Sequence, residues 1–158
     1  MEPAASYRWR YRGRNVSPEE FHQSLHDGVL SQFVLEGNSS GALCGHVLAY
    51  DYEPDAGHAY VAVQALEGIR PGLAMEGLFL FVRYLFSRFN LRKLYFDIPD
   101  YNRSLADGLD VLRLEATHRS HFAFDGGYVD RHIYALYRDD VAEYLDSIAP
   151  EVRASIGI

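Results

Sequence analysis

Between residues 58 and 90 the hydrophobic period of the chain changes, and that change restricts the fold more than any other feature. The run "HAYVAVQAL" (58–66) has the length and side chains of a β-strand. After the loop "IRPG", Leu78, Phe81, Val82, Leu85, Phe86 and Phe89 recur at helical spacing, which predicts a long helix from about Gly72 to Phe89. "RKLYFDI" (92–98) reads as a strand again. Strands and helices that alternate in this way fold into a mixed α/β layer. The stretch "IRPGLAMEG" (69–77) joins strand to helix. Such a loop can cradle a phosphate on the unpaired N–H groups of the first helical turn, or it can be an ordinary connection.

The remaining elements fit the same layer. "YRWRYRGR" alternates with period two, with Arg8, Arg10, Arg12 and Arg14 on one face and Tyr7, Trp9 and Tyr11 on the other. An edge strand with a charged outer face explains it better than an anion-binding stripe. "SPEE" starts a helix, with Ser17 as N-cap, Pro18 at the first position and Glu20 completing a capping box. Phe21, Leu25 and Val29 continue that spacing, and Gly28 marks its end. "LSQFVLEG" and "GALCGHVLAYDY" are strands joined by "GNSSG", and "YNRSLADGLDVL" is a shorter helix. "LEATHRSHFAF" and "VDRHIYALY" form a hairpin around Asp125-Gly126-Gly127, and "RDDVAEYLDSIA" closes the chain as a helix. The order β-α-β-β-β-α-β-α-β-β-α predicts one domain over residues 1–158, built on a central twisted mixed sheet flanked by helices.

Composition narrows the function classes. Apolar residues make up 48% of the 158, enough for a packed core. A net charge of −7 argues against a general nucleic-acid binder and suits a cationic partner such as an amine. No apolar run reaches membrane-span length, and the polar N-terminus does not read as a signal peptide. The single cysteine, Cys44, precludes an internal disulfide and fits a reducing, cytoplasmic setting. Within "GALCGHV" it reads as a small buried apolar group rather than a nucleophile. Strand alternation puts His118 and His121 on opposite faces, so no metal site is expected.

The C-terminal block "EATHRSHFAFDGGYVDRHIYALYRDD" carries a family likeness. Glu115, Arg119, Asp125, Gly126, Tyr128, Asp130, Tyr134, Leu136 and Asp139-Asp140 fill the places of a pattern found in the GNAT N-acyltransferases. Within that family the chain most resembles the branch of ribosomal-protein alanine N-acetyltransferases, over roughly Gly45 to Val141. The resemblance implies a GNAT fold and transfer of an acyl group, expected to be acetyl, from acyl-CoA to a primary amine of a small molecule or a protein N-terminus. It also makes a homodimer an expectation. The alternative is a GNAT-like domain that has lost catalysis and binds acyl-CoA or a protein partner.

Site residues follow from the resemblance. The pyrophosphate loop of the family aligns with Ile69-Arg70-Pro71-Gly72-Leu73-Ala74, followed by Met75. Gly72 and Ala74 match the pattern, whereas Ile69 stands where the family has Gln or Arg. Arg70 adds a charge near the helix start. The backbone of Val63, Gln64 and Ala65 is expected to meet the acyl arm. "YNRS" corresponds to the pantetheine-holding motif, with Ser104 in place and Asn102 shifted by one. Gly108 occupies the position of the usual leaving-group tyrosine, which leaves Ser104 as the substitute acid. Asp97, His58 and Glu67 are the candidate bases, with Asp97 ahead.

With no strong base, the acceptor's own pKa decides its reactivity. A lysine-type amine is about 0.04% neutral at pH 7 and an α-amine about 14%, roughly a 350-fold difference that favours low-pKa amines.

Overall fold

A computed structural model describes Ser17, Glu19, His22, Gln23 and residues 25–38, 41–66, 68–69 and 71–147. The expected N-terminal arginine strand, Pro18 and Glu20 of the capping box, Phe21, Glu67 and Arg70 lie outside the described residues. Strands β1 (Val29–Glu36), β2 (Leu43–Glu53) and β3 (His58–Ala65) form an antiparallel meander. Helix α1 (Pro71–Arg88) follows, then β4 (Lys93–Pro99), a 3₁₀ turn (Asp100–Asn102), the short helix α2 (Arg103–Asp107), the hairpin β5 (Arg113–Phe124) and β6 (Gly127–Tyr137), and helix α3 (Arg138–Ser147). The sheet has six strands in the order β1-β2-β3-β4-β6-β5. β3 and β4 are parallel, and the other neighbouring pairs are antiparallel. The mixed sheet flanked by helices agrees with the sequence reading.

Helix α1 forms where the 3.6-residue period predicts. Its stripe of Leu78, Phe81, Val82, Leu85 and Phe86 is buried against Val47, Ala49, Ala59, Val61, Leu94 and Phe96 of the sheet. Gly77 lets the helix approach β1 closely, since a Cβ there would lie 2.6 Å from the Leu35 Cδ2. The last carbonyls of α1 have no partner within the helix. Arg138 supplies one, its guanidinium donating to the carbonyls of Phe86 (2.6 Å), Phe89 (3.0 Å) and Leu91 (2.7 Å). One cation thereby ties the end of α1 to the start of α3.

Several local readings are corrected. Val29 does not continue the first helix. Leu25–Gly28 form a turn, Gly28 takes φ +69°, and Val29 opens β1. "YNRSLADGLDVL" is not one helix but a 3₁₀ turn and a five-residue helix ending before Gly108. The hairpin turn is as expected, with positive φ at Asp125 (+48°) and Gly126 (+76°), the signature of a type I′ turn. Cys44 is buried at 4% exposure, as a small apolar side chain would be. Among the described residues no helix is long and apolar enough to cross a membrane.

Candidate active site

The most informative feature is where the parallel ladder stops. β3 and β4 pair from His58↔Lys93 to Val61↔Phe96 and no further. Beyond that point β3 stays with β2, through Gly45↔Ala65 and a 2.9 Å hydrogen bond from the Leu66 N–H to the Cys44 carbonyl. β4 stays with β6, as far as Pro99↔Arg131. The two strands part, and a wedge opens between Ala62–Ala65 and Asp97–Pro99. Strand edges that diverge leave backbone donors and acceptors for a ligand to complete, much as an added strand would. Gly45 sets the geometry of one wall: a Cβ there would lie 2.3 Å from the Gln64 carbonyl oxygen and 3.1 Å from the Ala65 Cα.

Helix α1 begins just beyond the end of β3, so its N-terminus lies at the same carboxyl end of the parallel strands where α/β sheets bind ligands. Pro71 is the first helical residue, and its missing N–H is no loss there. Gly72 is exposed, and among the described residues no atom outside its own helix turn and chain neighbours lies within 4 Å of where its Cβ would be. The first-turn N–H groups of Gly72, Leu73 and Ala74 have no carbonyl four residues back inside the helix. The Ala74 side chain points into the core at 5% exposure, so only its backbone is available to a phosphate. Met75 is 39% exposed beside this turn.

The expected catalytic side chains separate. Asp97 stands on the β4 wall of the wedge, on the sheet face opposite α1. Its Oδ2 lies 3.0 Å from the Arg131 Nε, and its side chain is only 14% exposed. His58 sits at the other end of β3, about 20 Å along the strand from Ala65 at the usual rise per residue. There its ring makes an edge contact with Tyr95 at 5.2 Å. His58 is thus not brought to the wedge. Ser104 is exposed in the first turn of α2. Asn102 occupies the N-cap position of α2, but its side chain makes no capping hydrogen bond.

Three residues make contacts that the sequence did not reveal. The first is His132, 3% exposed, with Nε2 3.0 Å from Asp100 Oδ1 and Nδ1 3.0 Å from Thr117 Oγ1. Facing a carboxylate, Nε2 is the donor of the first contact, and the other ring nitrogen faces the Thr117 hydroxyl. This relay anchors the turn that leads to Asn102 and Ser104. The second is Arg131, the partner of Asp97. The third is Tyr60, whose ring lies tilted against Tyr95 on the same face, centroids 5.2 Å apart. Burial raises its phenol pKa above the ordinary value; the Arg131 charge opposes that shift, while Tyr95, Asp97 and Asp51 add to it. Tyr60, Asp97 and Arg131 therefore share one electrostatic patch where β3 and β4 begin to part.

Other polar groups are occupied elsewhere. Burial lowers the His46 pKa, but its Nε2 faces Gln32 Oε1 of β1 at 3.2 Å, away from the wedge. His118 and His121 are not on opposite faces. A register shift between His118 and Phe122, with Ser120 at φ +48°, brings their rings to 5.4 Å. Among the described residues no group of three or more His, Cys, Asp and Glu side chains is placed to hold a metal ion.

Much of the C-terminal block serves the scaffold. Glu115 accepts from Lys93 (2.8 and 3.0 Å), from Tyr95 (3.0 Å) and from the Tyr137 hydroxyl. Burial of Glu115 works against its ionisation, but these hydrogen bonds outweigh it and hold the carboxyl below its ordinary pKa. Lys93 is shifted up: burial opposes its charge, and Glu115 and Tyr95 overcome that. Tyr134 is buried and donates to Asp107 at 2.8 Å.

No protein-family profile matches the chain, and no curated protein matches it. Solved structures do. Spermidine N-acetyltransferase from Vibrio cholerae in complex with CoA and spermine is 18% identical, with a TM-score of 0.68 over 78% of this chain and 75% of that one. The spermidine/spermine N-acetyltransferase of the same organism in complex with manganese ions is 19% identical, with a TM-score of 0.68 over 83% of this chain and 76% of that one. The fold is that of the GNAT acyltransferases.

Proposed function

We propose that this chain is an N-acyltransferase, moving an acyl group, acetyl in the first instance, from acyl-CoA to a primary amine. The observation that carries the reading is the parting of β3 and β4 beyond Val61↔Phe96, opposite the open N-terminus of α1. A pyrophosphate fits the first-turn N–H groups beside Gly72 and Leu73, where the helix dipole favours negative charge. Arg70 and Met75 are assigned to the same half of the site, and Asn102 and Ser104 to the pantetheine arm. In the wedge, backbone groups of Val63, Gln64 and Ala65 would pair with that arm and donate to the thioester oxygen as negative charge develops on it.

The amine attacks the thioester carbon from the Asp97 side. A new C–N bond forms, the C–S bond breaks, and the electron pair leaves on sulfur. Asp97 takes the amine proton directly or through a water, and the thiolate is protonated by Ser104 or by solvent. A thiol with a pKa of about 8.5 leaves readily, so a dedicated acid contributes little. No residue of the protein becomes acylated, which agrees with a buried Cys44. A small-molecule amine or a protein N-terminus meets this chemistry.

The test is release of free CoA thiol from acetyl-CoA in the presence of a primary amine at pH 7. Turnover is expected, with kcat/KM reduced at least tenfold in Asp97→Asn and little change in the KM for acetyl-CoA. Absence of turnover with every acceptor would refute the proposal.

A further inference from the structure

Asp97 and Arg131 form an ion pair at the acceptor side of the wedge, and the pair says what kind of amine can bind there. Arg131 Nε approaches Asp97 Oδ2 at 3.0 Å, with side-chain exposures of 22% and 14%. Arg131 is paired with Pro99 at the end of the β4–β6 ladder, and its head group reaches back to Asp97, just beyond the last β3–β4 pair. The electrostatic influence of both groups reaches the Tyr60 phenol, so the two opposite charges act on one patch.

Two carboxylates further along the sheet edge are held by hydrogen bonds of their own. Asp100 is bound to His132 at 3.0 Å, and Asp130 accepts the Ser120 N–H at 2.8 Å. A polycation entering here would meet the Arg131 charge directly beside Asp97. A zwitterion would find a partner for each end: Asp97 for the ammonium that must lose its proton, and the planar guanidinium fork of Arg131 for a carboxylate.

We infer that the acceptor is an amine carrying a carboxylate next to it, an α-amino acid or a close analogue, with Arg131 as the specificity-determining residue that binds the carboxylate. This rests on the acyltransfer reading above and names the substrate class of that site.

The experiment uses the full chain with acetyl-CoA and three matched pairs of acceptors: alanine and ethylamine, phenylalanine and phenethylamine, lysine and cadaverine, with spermidine added. The readout is the ratio of kcat/KM for each amino acid to that for its decarboxylated partner, corrected for the neutral fraction of each amine. In the unaltered chain at least one pair is expected to favour the amino acid by about ten- to a hundredfold, the scale of a charge-assisted hydrogen bond. In Arg131→Met that ratio falls towards one, and in Arg131→Lys it falls part of the way. Because the ratio is taken within one variant, a general loss of activity or of Asp97 orientation cancels. Turnover with ratios near one, a preference for spermidine, or a ratio that Arg131→Met leaves unchanged would overturn this inference alone. Absence of turnover with all seven acceptors would overturn this inference, and the acyltransfer reading falls with it if a peptide N-terminus is not acetylated either.

Discussion

Replacing Gly45 with alanine tests whether the wall of the wedge is built by close contact between β2 and β3. The added Cβ would sit 2.3 Å from the Gln64 carbonyl oxygen and 3.1 Å from the Ala65 Cα. Both are backbone atoms, so no rotamer change relieves the overlap of about 1 Å, and the strands must separate. Overpacking of this kind costs about 1–3 kcal/mol. For a domain of this size each kcal/mol lowers Tm by about 2–4 °C, which puts the expected fall at about 2–12 °C. The displaced segment is Val63–Ala65, and beyond Val61 it is held by β2 and not by β4. The same substitution should therefore weaken acetyl-CoA binding more than its cost in stability alone would. Gly72→Ala is the thermal control: its Cβ meets no described residue beyond its own turn within 4 Å, so Tm should hold or rise slightly. Thermal unfolding and an acetyl-CoA titration on the same preparations decide the matter. A Gly45→Ala protein that melts within about 1 °C of the unaltered chain and binds acetyl-CoA equally would refute the reasoning.

Further expectations concern the scaffold. Glu115→Gln leaves the Lys93 ammonium, with a side chain only 7% exposed, without its anionic partner, at a cost of about 2 kcal/mol at pH 7 once the 28% exposure of Glu115 is discounted. The folded-state pKa of Glu115 is depressed, so its contribution is present above the ordinary glutamate range, about 4.3, and disappears as pH falls through the lower folded value. Chemical denaturation at pH 7 and pH 3 should show the gap between the two proteins narrowing at the acid end; a constant gap would contradict the assignment. Arg138→Met removes three charge-assisted hydrogen bonds to the end of α1 and should lower stability by about 3 kcal/mol. Acetyl-CoA affinity per folded molecule should be unchanged, because Arg138 lies at the far end of the helix from Gly72.

What the sequence revealed depended on how local the signal was. Helix α1 was legible because six apolar side chains repeat within one continuous segment, and the β5–β6 turn because Asp125-Gly126 names its own backbone geometry. Val29 misled because it continues the spacing of Phe21 and Leu25, while the left-handed Gly28 before it redirects the chain into β1. His118 and His121 misled because simple alternation fails across the register shift at Ser120. The site was the least legible part. That Arg131 answers Asp97, or that His132 joins Asp100 to Thr117, depends on the pairing of β4, β5 and β6, and strand alternation gives a side chain its face but not its neighbour across the sheet. The block that carried the family resemblance proved largely structural in this chain, with Glu115 and Tyr134 committed to scaffold contacts and Asp130 to the backbone of β5.

The central claim is that the open end of the sheet, between the parted strands and the start of α1, holds acyl-CoA. Calorimetric titration of the chain with acetyl-CoA and with CoA, set beside Gly72→Trp, tests it most directly. The account predicts binding at micromolar concentrations, lost in Gly72→Trp, because the indole would fill the open space at the first helical turn. Absence of binding, or binding that Gly72→Trp leaves intact, would contradict it.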